Sequence, residues 1–243
     1  MGWVGFGARH YTTGLQAAYD RGVNTSPATI AQLPLFPLRT VLFPGSALHL
    51  QIFEVRYLDM IGRCHKSGEP FGVVCLTEGG EARQRSADGF VREAFFPLGT
   101  LARIDVFERP QPGLMVVHCT GTQRFRVRSS AQAKAGLWVG EVELLADDAP
   151  VRVPDDLAFT RDALQAVLRN IELSIEHSGE ASAELPIRAP YEWDDCAWLA
   201  NRWCEMLPLP GERKQRLLAL DSPVLRLELV ADTLVELGIV TRR

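Results

Sequence analysis

The 243-residue chain is 47% hydrophobic and 23% charged, with a formal net charge of -4, and is long enough to bury a sizeable core in one large domain or two small ones. No apolar run nears the ~18 residues of a membrane-spanning helix, and residues 32–150 carry thirteen basic and thirteen acidic side chains against eleven and sixteen in residues 151–243, not the one-sided Lys and Arg excess of a nucleic-acid binder. Five cysteines with no C-x-x-C pair argue against a disulfide framework or a zinc knuckle and fit a reducing cytosol.

In chain order, residues 1–31 read as a Gly- and Ala-rich extension with neither a signal-peptide nor a transit-peptide pattern. Residues 33–57, LPLFPLRTVLFPGSALHLQIFEVRY, combine period-two apolar positions with prolines at defined points. Leu33, Leu35 and Val41 to Phe43 predict short buried strands, Pro34 and Pro37 restrict them to an edge or a bulge, and Pro44-Gly45 turns the chain into a strand from Ala47 to Phe53. A helix is expected from Glu54 to about Lys66, with Tyr57, Met60, Ile61 and Cys64 on one face.

Phe71 to Thr77 reads as a buried strand, and Glu78 to Asp88 as a polar loop expected to be mobile. Strands follow at Phe95 to Phe107, Leu114 to Cys119, Thr122 to Arg128 and Trp138 to Leu145, broken by turn residues at Pro110 to Gly113. They are expected to close a small barrel.

After Ala146 to Asp156 the period changes to that of helices. Leu164, Val167, Leu168, Ile171 and Ile175 mark the first, with Asp155 or Asp156 as N-cap. Gly179 to Pro190 reads as a linker. A second helix is expected over about Glu192 to Met206, with Trp193, Ala197, Ala200 and Cys204 inward. A short one follows over Glu212 to Leu220, and a last one is capped by Asp221 or Ser222, with Pro223 in its first turn and a buried stripe of Leu225, Leu229, Leu234 and Leu237.

The LPLFPL segment, Val41 to Gly45 as V-x-FPG, and Phe53 to Tyr57 as FE-x-RY closely resemble the opening of the Lon-protease N-terminal (substrate-binding) domain family. LGTLARIDVF (98–107), GTQRFRV (121–127) and RKQRLLALDSPVLRLELVADTL (213–234) are similar to later segments, in order, so the likeness spans roughly residues 32–239. It implies an α+β fold: a PUA-like β pseudo-barrel of about six strands over 32–150 with one inserted helix, then a C-terminal helical bundle over 151–243. Full-length Lon proteases add ATPase and peptidase modules. No G-x-x-x-x-G-K-[ST] phosphate loop occurs here, and the likeness runs to the end of the chain, so neither activity is expected.

The resemblance implies a non-catalytic, cofactor-free, cytoplasmic bacterial module that binds unfolded or extended polypeptide or a protein client, as an adaptor or regulator in protein quality control. The alternative is a PUA-like RNA-binding protein, which the charge balance disfavours. Peptide contacts are expected in the groove between barrel and bundle, at Phe43, Phe53, Arg56 and Tyr57, with Trp198 from the bundle.

Bland readings accompany these choices. Glu54 and Arg56, with Tyr57, either orient a ligand or pin the first helix to the barrel. Arg124, Arg126 and Arg128 alternate with Phe125 and Val127, so one strand face could grip phosphate or carboxylates; any half-exposed strand shows the same alternation. His118-Cys119 with Cys75 suggests a metal or a nucleophile, but both cysteines sit in apolar strand patterns as small hydrophobes, and Cys196 and Cys204 lie ~12 Å apart along one helix, too far to share a metal. Trp193, Trp198 and Trp203 spread around their helix, which predicts at least one exposed.

Overall fold

A computed structural model describes residues 28–81, 85–86, 89–90, 93–178 and 185–241. Most of the N-terminal extension, and much of the polar loop and the linker, lie outside the described residues. The strands are β1 (Thr29–Leu38), β2 (Ala47–Ile52), β3 (Phe71–Glu78), β4 (Arg85–Ser86), β5 (Gly89–Phe90), β6 (Ala94–Gln111), β7 (Leu114–Gln132) and β8 (Trp138–Leu144). The helices are α1 (Val55–Ser67), α2 (Ala158–Ser178), α3 (Cys196–Met206), α4 (Gly211–Leu218) and α5 (Pro223–Glu236). None is long and apolar enough to cross a membrane.

Six strands form one mixed sheet in the order β2-β7-β6-β3-β1-β8, and a further β7–β8 pairing joins β7, β6, β3, β1 and β8 into a ring. β1 pairs antiparallel with β8 through Leu35, then parallel with β3 from Leu35 to Leu38. Pro34 and Pro37 thus each occupy a half of the strand with a neighbour on one side only, the edge-like setting proline requires. A register shift between Ile30 and Leu33 precedes them.

Val41 to Phe43, expected as a strand, is irregular though buried. It runs into the Pro44-Gly45 turn, where Gly45 takes φ 79°, a left-handed conformation that glycine adopts without a Cβ clash. The expected strands 114–119 and 122–128 are one element, because Gly121 keeps β7 continuous and bonds both ways to that turn: Gly45 N–H to Gly121 O at 2.8 Å, Gly121 N–H to Ser46 O at 2.9 Å. Only β7 borders β2.

The helices depart from expectation at their ends. Asp155 and Asp156 lie in a 3₁₀ turn leading into α2 rather than capping it. α3 begins at Cys196 because the Asp195 side chain accepts the Trp198 N–H at 2.8 Å as N-cap, which leaves Trp193 off the helix. Ser222 caps α5, with Pro223 in its first turn as expected. The α5 stripe, however, is Leu227, Val230, Ala231 and Leu234, while Leu225, Leu229 and Leu237 are exposed.

Arg226 explains that rotation. It is fully buried, donates to Asp148 Oδ2 at 2.6 Å, Asn201 Oδ1 at 3.1 Å and Leu217 O at 3.1 Å, and so turns its own face of α5 inward. Arg124 of β7 meets the same carboxylate at 3.1 Å and donates to Leu218 O at 2.9 Å. A second joint holds Arg202 of α3 against Pro44 O at 2.8 Å and Ser46 Oγ at 3.0 Å. One apolar core runs through both, taking Val41, Phe43, Cys75 and Leu98 from the strand part and Leu164, Leu199, Trp203, Leu227 and Leu234 from the helices.

Candidate functional site

The junction of β2 and α1 separates its side chains into two sets. Phe53 leaves the end of β2 65% exposed, followed by Val55 at 70%, while Arg56 and Tyr57 turn inward. Arg56 meets Glu54 at 3.0 Å and Glu93 at 3.1 Å, and donates to Gly136 O at 2.9 Å. Trp138 Nε1 donates to the same Glu93 at 2.7 Å. These bonds pin α1 to the strands, so of the two readings of Glu54 and Arg56 the structural one describes their geometry. Tyr57 stacks on Phe36, ring centres 4.0 Å apart and 13° from parallel, and burial raises its hydroxyl pKa well above the ordinary value, so the phenol is neutral.

Beside this junction lies a cleft of about 300 Å³, lined by Phe36, Leu38, the run from His49 to Phe53, Glu54, Tyr57 and Glu81. Side chains of a strand alternate between its faces, so a cleft over one face would meet every second residue. This cleft meets five in succession, and therefore runs along the edge of β2. That is the side of β2 opposite β7, where no strand pairs with it among the described residues. Phe36 and Leu38 come from the half of β1 bordered by β3 alone. Glu81 also lines it, its Oε1 accepting the Arg39 N–H at 2.6 Å while the Arg39 guanidinium donates to Gly79 O at 2.8 Å.

The five expected peptide-contact residues do not converge. Phe53 and Tyr57 line the cleft. Phe43 has no exposed surface and belongs to the shared core, where it packs with helical residues. Arg56 is locked in its ion pairs. Trp198 lines a different depression, with Pro44, Gly45, Asp148 and Asp195, and packs edge-on against Trp193 at 5.1 Å, with Tyr191 5.1 Å from Trp193. Trp193 and Trp198 are half-buried and Trp203 is buried, so none of the three is fully exposed.

The arginine face is also broken up. Arg124 is buried against Asp148, its pKa lowered by that burial and partly restored by the carboxylate. Arg126 and Arg128 are exposed, and Arg128 pairs with Glu143. The five cysteines are free and buried. Burial pushes the thiols of Cys119 and Cys204 up to about 12 and that of Cys196 to about 11, which keeps them protonated and poor nucleophiles. The His118 ring lies tilted against that of His49, ring centres 4.3 Å apart and planes at 53°, and the described residues hold no cluster of three metal-ligating side chains.

Sequence reasoning missed Phe36, Leu38, Leu50 and Glu81. The alternation within LPLFPL and LHLQIF was the available signal for the first three, since each offers one apolar face. Nothing local announced that the two segments would border the same space.

A family model described as ATP-dependent protease La (LON) substrate-binding domain matches residues 32–236. No curated protein matches the chain. The crystal structure of a Lon N-terminal domain protein from Xanthomonas campestris is similar, with 31% identity and a TM-score of 0.63 over 84% of this chain and 98% of that one. The N-terminal domain of a Lon protease from the Mycobacterium avium complex shares the fold, with 16% identity and a TM-score of 0.55 over 83% of this chain and 96% of that one.

Proposed function

Since the chain belongs to the Lon substrate-binding domain family, we propose that it is a non-catalytic polypeptide-binding module of the bacterial cytoplasm, serving as an adaptor or regulator in protein quality control. Its strand ring is read as the PUA-like pseudo-barrel, and its helices as a C-terminal bundle packed on it as part of the same folding unit, with residues up to about 28 as an extension. The observation that carries the reading is the apolar cleft beside exposed Phe53 and Val55. Exposed large apolar side chains at the mouth of a preformed cleft are suited to contact with a ligand. Clients are unfolded or extended segments rather than folded surfaces, because the cleft is narrow and lies at the small end of the ~300–1,000 Å³ range of ligand pockets.

The test is a paired titration at physiological salt with fluorescein-labelled, reduced and carboxymethylated α-lactalbumin and with labelled single-stranded RNA. Saturable polypeptide binding is expected, weakened about tenfold by Phe53→Ala, as loss of a buried phenyl contact implies. Trp198→Ala should leave it unchanged. Tight RNA binding that persists in salt, without polypeptide binding, would overturn the proposal.

A further inference from the structure

The cleft specifies how a polypeptide is held as well as where. Among the described residues β7, from Met115 to Thr120, is the one strand that pairs with β2, and the Ala47 N–H at the start of β2 reaches Glu205. A strand edge left in this state is a template for another extended chain. Across the cleft, Phe36 and Leu38 belong to a segment of β1 that likewise has a single neighbouring strand. The space beside β2 is lined by Phe36, Tyr57 and Ile52, all buried. Among the described residues, the acidic side chains that line it are Glu54, which pairs with Arg56, and Glu81.

Resting on the polypeptide-binding reading, we propose that the client enters as an added strand. Its backbone pairs with the edge of β2 opposite β7, one apolar side chain occupies the cleft, and a flanking Lys or Arg lies near Glu81. Backbone pairing supplies affinity with little sequence demand, and the cleft selects every second side chain. The occupant is thus an extended segment with an apolar residue flanked by basic ones. Like-charge repulsion from Glu81 disfavours acidic segments beside it.

A fluorescein-labelled heptapeptide, Gly-Lys-Val-Phe-Val-Lys-Gly, is the probe, read by anisotropy with the full chain. In an added strand, successive backbone amides point alternately toward β2 and away from it. N-methylation at Phe and at the following Val should therefore differ, one weakening binding about tenfold through the lost hydrogen bond and added bulk and the other having little effect. Replacing both Lys by Glu should weaken it several-fold. Hydrogen exchange should show new protection within residues 47–52 on peptide addition. Phe53→Ala, whose side chain is exposed in the free protein, should weaken binding with an unchanged thermal transition.

Equal binding of the two N-methylated peptides, or no new protection in β2, overturns the added strand and leaves the polypeptide-binding reading standing. So does a heptapeptide that fails to bind while carboxymethylated α-lactalbumin binds. Failure of both ligands overturns both. A dimer of the free protein that saturating heptapeptide does not dissociate, with β2 already protected, would assign the edge to a second copy and also overturn the proposal.

Discussion

Glu205 reaches from α3 to the turn after Phe43, where Ser46 Oγ donates to it at 3.1 Å and Arg202 lies 3.3 Å away. Burial raises its pKa above the ordinary 4.5, and the attraction of Arg202 only partly offsets this. The folded protein then binds this proton more tightly than the unfolded chain does. Stability from Glu205 is greatest below pH 4.5 and is lost as pH rises through the folded-state value, the reverse of an ordinary salt-bridged carboxylate. Glu205→Gln should remove that dependence, so the Tm of wild type minus that of the variant should fall as pH rises above 4.5. Parallel Tm profiles for the two proteins would refute it. Arg124 shows why roles at this scale are hard to read from sequence. Its alternation with Phe125 and Arg126 is ordinary, and what buries it is Asp148, 24 positions away.

Among the elements, β7 depends on one glycine. A Cβ at Gly121 would lie 2.4 Å from the Phe43 carbonyl oxygen and 2.9 Å from Leu42, so Gly121→Ala must push the Pro44-Gly45 turn off the strand. Overpacking of this kind costs about 1–3 kcal/mol, and urea denaturation should show a lower midpoint by that amount; an unchanged midpoint would mean the turn yields freely. The sequence marked Gly121 as part of a recurrent segment, and the contact that requires it comes from a segment almost eighty residues earlier. The opening strands and α1 were legible because apolar period, proline and turn residues agree there. The inner face of α5 was not, since Leu225, Leu227 and Leu229 offer apolar residues on more than one side of the helix and a buried arginine chooses between them.

Across the whole molecule, strand and helical parts share a core and two polar joints, so the division near residue 150 is a change of architecture rather than a boundary between independent units. Residues 28–150 alone would expose Val41, Phe43, Cys75 and Leu98 and leave buried Arg124 without its Leu218 and Leu220 carbonyl partners. Stripping a buried charge of its partners costs several kcal/mol, comparable to the whole stability of a small domain. That fragment should lose a cooperative thermal transition and bind a hydrophobic dye, whereas a sharp calorimetric peak would establish it as autonomous. Of the cleft, Phe53 and Tyr57 were legible from one motif, while Phe36, Leu38 and Glu81 join it only through pairings between distant segments. Its lining residues among those described fall between positions 36 and 81, whereas the strand that holds β2 begins at Leu114 and the ring closes only with β8. Synthesis proceeds from the N-terminus, so the ribosome delivers these residues before the strand that pairs with β2. On the proposed reading, the edge offered to a client is therefore made before the strand that pairs with its other side.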